Sequence, residues 1–215
     1  VGKDKVGDFI LNFLKEEGVN TESIPVIENA RSSAVVLGIE PPDRFPLVYY
    51  RDNCADSQMT IDHVLKAGIE LSRMLEVSGT ALNIEPTRSS AFLAAEIARK
   101  NDIPVLLDLD FRADQWHDIR AFGVTSRAFM RNVNLVLGTE EEILAAYLTD
   151  ESQLNISHQQ ISAPEIKGDL NEAIQGILKL GVEALIVKTG SRGAIIYKAD
   201  GSKEEVPGFP VEVVN

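Results

Sequence analysis

The sequence predicts an α/β protein: a doubly wound, mostly parallel sheet with helices on both faces, carrying a small projecting antiparallel sheet. Three observations predict it. Short apolar runs at Met74–Val77, Ile103–Leu107, Leu135–Leu137 and Ala184–Val187 alternate with segments of helical spacing, and such alternation builds right-handed β-α-β units. These runs are close to continuously apolar, the pattern of strands buried on both faces of a parallel sheet. Between residues 24 and 59 the character changes. Ile24–Ile27, Ala34–Ile39 and Phe45–Tyr50 follow one another across Glu28-Asn29 and Pro41-Pro42-Asp43 turn signals, with no helix between them, so antiparallel pairing is expected. The chain is accordingly divided into a core, residues 1–23 and 60–215, and a lid, residues 24–59.

Each element has a local reason. Val6, Phe9, Ile10, Phe13 and Leu14 recur at helical spacing, and Gly18 supplies the stop. Thr60 is placed to cap a helix bearing Ile61, Val64, Leu65 and Ile69. Pro86 suits the first turn of a helix running to Lys100. Further helices are expected within Gln115–Asn132 and over Glu140–Leu148, while Thr149–Lys167 has weak periodicity and reads as loop. Asp169 caps a helix carrying Leu170, Ile174, Ile177 and Leu178, which Gly181 ends. Ala194–Tyr197 and Glu205–Val206 read as terminal antiparallel strands around Asp200-Gly201.

Charge and composition narrow the function. With 33 acidic and 21 basic residues the net charge is −12, which argues against nucleic acid or an anionic membrane as main partner. A nucleotide carried with Mg²⁺ stays compatible, because a metal and a few local arginines outweigh the distant field. Cys54 is the only cysteine, so no internal disulfide forms and a reducing cytoplasm is the expected location. His63, His117 and His158 lack metal-site spacing, and no apolar run is long enough to span a bilayer. The opening Val1-Gly2 and the closing Val213-Val214-Asn215 read as the ends of an excerpt from a longer protein.

Four stretches carry candidate chemistry, each beside a purely structural reading. In open α/β sheets ligands bind beyond the carboxyl ends of the strands, where Asp108-Leu109-Asp110-Phe111-Arg112 falls. Its acids either cap the next helix or form a metal or phosphate site, with the Arg112 fork as anion partner. A phosphohydrolase using Asp108 as nucleophile is the rival enzymatic reading, and a lone binding module the non-enzymatic one. In Thr139-Glu140-Glu141-Glu142 a capping box accounts for Glu142 and first-turn placement for Glu140, which leaves Glu141 free to hold hydrated Mg²⁺. Lys188-Thr189-Gly190-Ser191-Arg192-Gly193 is either a tight turn or a place where backbone approaches a nucleotide; neither GxxxxGK[ST] nor GxGxxG occurs. Tyr49-Tyr50-Arg51-Asp52-Asn53-Cys54-Ala55-Asp56 is either a hairpin end or the rim of a lid over an anionic sugar.

Taken in order, these stretches resemble the ribokinase-like (PfkB) carbohydrate kinases over nearly the whole chain. Gly2-x-Asp4-x-x-Gly7 with Gly18-Val19-Asn20-Thr21 looks like the segment leading into that family's β-lid. Val187–Gly193 resembles its nucleotide-binding turn, with Lys188 where threonine is commoner, and Glu141 matches the glutamate of its N-x-x-E motif, with Gly138 in place of asparagine. Phe45-Pro46-Leu47, Tyr50–Asp56 and the Arg112–Trp116 segment are similar to members acting on keto-deoxy sugar acids. The resemblance implies a ribokinase-like fold, ATP and Mg²⁺ as cofactors, and transfer of the γ-phosphoryl group to a sugar-acid hydroxyl. It assigns Tyr50, Arg51 and Arg112 to the sugar acid, Lys188, Gly190 and Gly193 to the nucleotide, and Glu141 to the metal. It places no catalytic residue within the chain: the family's aspartate base and anion hole follow a segment like Val211–Asn215. The projecting sheet has edges to cover, so a homodimer paired through the lid is expected as well.

Overall fold

The computed structural model describes residues 1–39, 47–155 and 165–211. The Pro41-Pro42-Asp43 turn signal, Phe45-Pro46, His158 and the Val213–Asn215 end lie outside the described residues. The first helix, α1 (Lys5–Glu16), is capped by Asp4, whose carboxylate accepts the Gly7 N–H at 2.8 Å and the Ser32 N–H at 2.7 Å. Those backbone donors, Ser32 first, hold the Asp4 carboxyl below its ordinary range. The cap therefore also ties the start of the chain to the residues just ahead of the small sheet.

That small sheet is a single antiparallel pair, β1 (Ala34–Leu37) and β2 (Leu47–Tyr50), with Ala34 opposite Tyr50 and Leu37 opposite Leu47. The expected strand at Ile24–Ile27 does not form. Ile27 makes one isolated bridge to Gly2, and Pro25, which has no N–H to donate, instead accepts the Val1 amine through its carbonyl at 3.0 Å.

The larger sheet has six strands. After α2 (Ile61–Leu65), whose N-terminus carries a Thr60–His63 capping box, come β3 (Leu75–Ser78), α3 (Thr87–Lys100), β4 (Val105–Asp108) and α4 (Ile119–Met130). Next are β5 (Leu135–Thr139) and α5 (Glu140–Tyr147), then a two-residue pair, β6 (Leu154–Asn155) with β7 (Glu165–Ile166), inside the segment expected to be loop. The chain continues through α6 (Leu170–Leu178), β8 (Ala184–Lys188), β9 (Gly193–Lys198) and β10 (Lys203–Pro207). The order is β10-β9-β8-β5-β4-β3, parallel from β3 to β8 and antiparallel from β8 to β10. Pro86 stands at the N-cap of α3, and Asp118 and Asp169 cap α4 and α6.

Successive parallel strands are laid down in one direction, so right-handed crossovers bring α3, α4 and α6 to one face. Burial follows. Val105, Leu107, Val136 and Leu185 are fully buried beside Phe122, Phe129 and Ile177, each such side chain stabilising by about 1.5–3 kcal/mol. The alternate residues Leu106, Leu135, Leu137 and Ile186 are only half-buried. Burial on both strand faces, expected from the apolar runs, is thus complete on one face among the described residues.

Candidate active site

Four parallel strands end together, and their last residues carry the polar groups: Ser78 on β3, Asp108 on β4, Thr139 on β5 and Lys188 on β8. Beyond Asp108 the chain keeps alternating. Leu109 and Phe111 point into the core, Phe111 against Phe122 at 4.5 Å, and Trp116 meets the same ring edge-on at 5.4 Å. The Leu109 N–H donates to the Leu137 carbonyl at 2.8 Å, prolonging the β4–β5 pairing. With the apolar residues anchored inward, Asp108, Asp110 and Arg112 turn toward the sheet edge. Asp110 takes φ +37°, a left-handed conformation that aspartate adopts more readily than most residues.

A chain of opposite charges joins these groups. Ser78 Oγ donates to Asp110 at 2.9 Å, and the Arg112 guanidinium lies 2.6 Å from Asp110 and 3.7 Å from Glu142. Lys188 Nζ lies 3.2 Å from Asp108 and 3.4 Å from Glu142. Glu142 is 8% exposed and accepts the Thr139 N–H at 2.8 Å while Thr139 Oγ1 accepts the Glu142 N–H. The capping box predicted for Glu142 is present, yet the same carboxylate is the one that meets Arg112 and Lys188.

Glu141, expected to hold the metal, is exposed one position further round the helix. Gly138 sits on the buried side of β5, where a Cβ would come 2.8 Å from Leu109 Cδ1 and 3.4 Å from the Glu142 side chain, so position 138 is packed between the core and Glu142 and lies next to Glu142, not Glu141. The N-x-x-E spacing is met equally by Thr139 and Glu142, and it is this pair that faces the edge.

The small sheet closes over a cavity of about 270 Å³ between itself and the sheet edge. Val35 and Tyr49 line it from above; Arg51, Thr80, Asp110 and Arg112 line it from below. Arg51 and Arg112, both expected at a sugar acid, are thus brought to one cavity. Arg51 is only 18% exposed and heavily engaged: it donates to Asp56, to Gln115 and to the Thr80 carbonyl. Tyr50, also expected there, is 60% exposed on the other face of β2, because adjacent strand residues point to opposite sides and Tyr49 takes the inner one.

On the far side of Lys188 comes the turn Gly190–Arg192. Gly190 has φ +61° with open space where a Cβ would be, and Gly193 has φ +100° with a Cβ position 2.1 Å from the Val206 carbonyl oxygen. Gly193 is therefore required by the close approach of β10, independently of any ligand. Arg192 pairs with Glu140 at 3.5 Å and is well exposed.

Among the described residues no group of three or more His, Cys, Asp and Glu side chains is placed to hold a metal ion, since Lys188 and Arg112 interleave the acids. Mg²⁺ needs no all-protein cage: it usually keeps several waters and uses one or two carboxylates with substrate phosphates. Glu142 at the head of α5 suits that mode.

The fold and this edge are those that the PfkB resemblance implies. The pfkB family carbohydrate kinase profile matches residues 1–215, and the chain belongs to that family. Among curated relatives it is 25% identical over 217 residues to the 5-dehydro-2-deoxygluconokinase of Clostridium beijerinckii and 30% identical over 217 residues to that of Bacillus anthracis (strain CDC 684 / NRRL 3495). It is matched along 100% of its own length and spans 60% and 61% of theirs. Among solved structures, the fructokinase of Xylella fastidiosa with bound ATP superposes with a TM-score of 0.83 at 20% identity, covering 100% of this chain and 61% of that one. A PfkB protein from Polaromonas sp. JS666 gives 0.78 at 20% identity, covering 98% and 65%. These structures establish a ribokinase-like fold.

Proposed function

We propose that the protein to which this chain belongs uses ATP to phosphorylate a keto-deoxy sugar acid, with 5-dehydro-2-deoxygluconate as first candidate and 2-dehydro-3-deoxygluconate as second. The observation that carries the reading is the cavity beneath β1 and β2, which has Arg51 and Arg112 in its wall, Arg112 in turn lying 3.7 Å from Glu142. Two guanidinium groups suit a carboxylate, and the relatives named above point to the same substrate class. In this reading residues 24–59 are the lid over the core formed by 1–23 and 60–215. Arg51, Arg112 and Tyr49 face the sugar acid, with Tyr50 on the lid's outer side. Lys188 and the Gly190–Gly193 turn face the nucleotide.

Glu142 holds Mg²⁺ through water, and the metal when bound offsets charge on the transferring phosphate. The lid excludes water and Arg112 orients the acceptor. The aspartate base belongs to the part of the relatives' length that this chain does not span. General-base assistance contributes about 10²–10⁴-fold, so residues 1–215 alone turn over far more slowly than the chain extended to its relatives' length. The exposed outer face of the lid, Val36, Val48 and Tyr50, supports pairing of two lids in a homodimer, checked by light scattering. A cytoplasmic location accords with the buried, unpaired thiol of Cys54 and with the lack, among described residues, of any helix long and apolar enough to cross a membrane.

Incubating the extended protein with ATP, both sugar acids and a generic phosphomonoester tests the proposal. ATP-dependent phosphorylation of a sugar acid is expected. Phosphomonoester hydrolysis abolished by Asp108→Asn, without sugar phosphorylation, would replace it with the phosphohydrolase reading.

A further inference from the structure

We propose that the Lys188 ammonium is the resident counter-ion of the sheet edge, neutralising Asp108 and Glu142 in the absence of nucleotide and transferring to an incoming polyphosphate. This rests on the kinase reading of the site and adds an exchange of ionic partners to it. Lys188 ends β8, Asp108 ends β4 and Glu142 opens α5, so the lysine reaches across the end of β5 to hold two carboxylates that no local rule brings together. Its two contacts, 3.2 and 3.4 Å, are longer than the roughly 2.7–2.9 Å of a tight ammonium–carboxylate hydrogen bond. The side chain is 38% exposed on a flexible four-carbon stem. A loose pair with an open side is one that a stronger anion can take over.

The other cation of this network cannot do the same. Arg112 is held against Asp110 at 2.6 Å and donates to its neighbour's carbonyl, that of Phe111, at 2.9 Å. The edge carries three acids, Asp108, Asp110 and Glu142, against two cations, Arg112 and Lys188. A polyphosphate therefore meets a net negative surface unless a cation turns toward it, and Lys188 is the one free to turn. Its departure uncovers two carboxylates, a charge offset by the divalent cation that accompanies the nucleotide.

The exchange predicts effects of opposite sign at two residues that touch each other. Titration calorimetry with MgATP on the full chain compares the parent with Lys188→Met, Lys188→Arg, Asp108→Asn and Asp110→Asn, each checked for fold by circular dichroism. Lys188→Met should weaken binding about 10- to 100-fold, the size of one charge-assisted hydrogen bond, and Lys188→Arg should restore part of it. Asp108→Asn should tighten binding, because it releases the ammonium in advance. Asp110→Asn, which removes the same charge from beside Arg112, should change it less. Parent-like binding by Lys188→Met, or weakening by Asp108→Asn, overturns the exchange and leaves the kinase reading intact. Absence of MgATP binding by the parent itself overturns both.

Discussion

The sheet edge and the small β1–β2 sheet face each other across one cavity and are built on opposite terms. At the edge, Asp108, Arg112, Glu142 and Lys188 are placed by strands and helices whose inner sides are fully buried, so each charged group is fixed by apolar residues one position away. In the small sheet every residue of β1 is exposed, and the sheet is tied to the body by polar contacts at its base: Asp4 to Ser32, and Arg51 to Asp56, Gln115 and Thr80. The edge is the end of a packed core, whereas the small sheet is held by a few hydrogen bonds. Phosphoryl transfer as proposed above, which admits a sugar and then excludes water, needs that difference.

The strongest way to break the comparison is to weaken its packed half. Leu107→Ala, at a fully buried position of β4, should cost about 2–5 kcal/mol. Val48→Ala on the lid, half exposed, should stay within about 0.5 kcal/mol. Denaturant unfolding measures both, and equal losses would mean that the lid is as well packed as the sheet.

Next in size is the pair of arginines, tested in the protein extended to its relatives' length. Arg112→Ala and Arg51→Ala should each raise KM for the sugar acid far more than KM for ATP, by about 1.5–3 kcal/mol when a charge-assisted hydrogen bond is lost. Arg51→Ala should in addition loosen the lid, seen as faster hydrogen exchange in β1 and β2. An Arg51 effect confined to exchange would make it a tether and leave the carboxylate to Arg112.

Glu142 and Glu141 sharpen the comparison within one helix turn. Glu142→Gln can still close the capping box but loses the charge facing Arg112 and Lys188, so Mg²⁺-dependent nucleotide binding should weaken with little change in stability. Glu141→Gln should leave both unchanged. Like behaviour of the two would return the whole triplet to helix capping.

The smallest effect concerns pH. Arg120, through its side chain and its backbone N–H, lowers the Asp118 carboxyl from 3.8 to about 2. A depressed carboxyl contributes stability that is present above the unfolded value and lost as pH falls through the folded one. Thermal midpoints should therefore drop between about pH 4 and 2, and Asp118→Asn should flatten that part of the profile while leaving the lid's exchange rates alone.

Much of the fold was legible from the chain in order. The four parallel strands, the terminal antiparallel pair and the caps at Thr60, Thr139 and Asp169 rest on periodicity and capping chemistry that act within a few residues. Ile24–Ile27 misled because apolar content outweighed Pro25. The apolar runs also suggested two buried strand faces, whereas burial in these residues alternates.

The candidate site was legible as stretches but not as single residues. Arg51 and Arg112 line one cavity and Lys188 stands at the same sheet edge, bridged to Arg112 by Glu142, whereas Tyr49 and Glu142 take the inward places assigned to Tyr50 and Glu141. A one-residue shift along a strand or helix reverses or rotates the direction of a side chain, and nothing local reveals the phase when both neighbours are of the same type. The buried Gly138 reveals it in β5, as the alternation of Leu47–Tyr50 does in β2. By itself the sequence determined most of the helices and the strands of the larger sheet, and which of these segments end in charge. Tertiary structure alone decided that Lys188 meets Asp108, 80 residues away in the chain, because strand order, not sequence distance, sets which ends become neighbours.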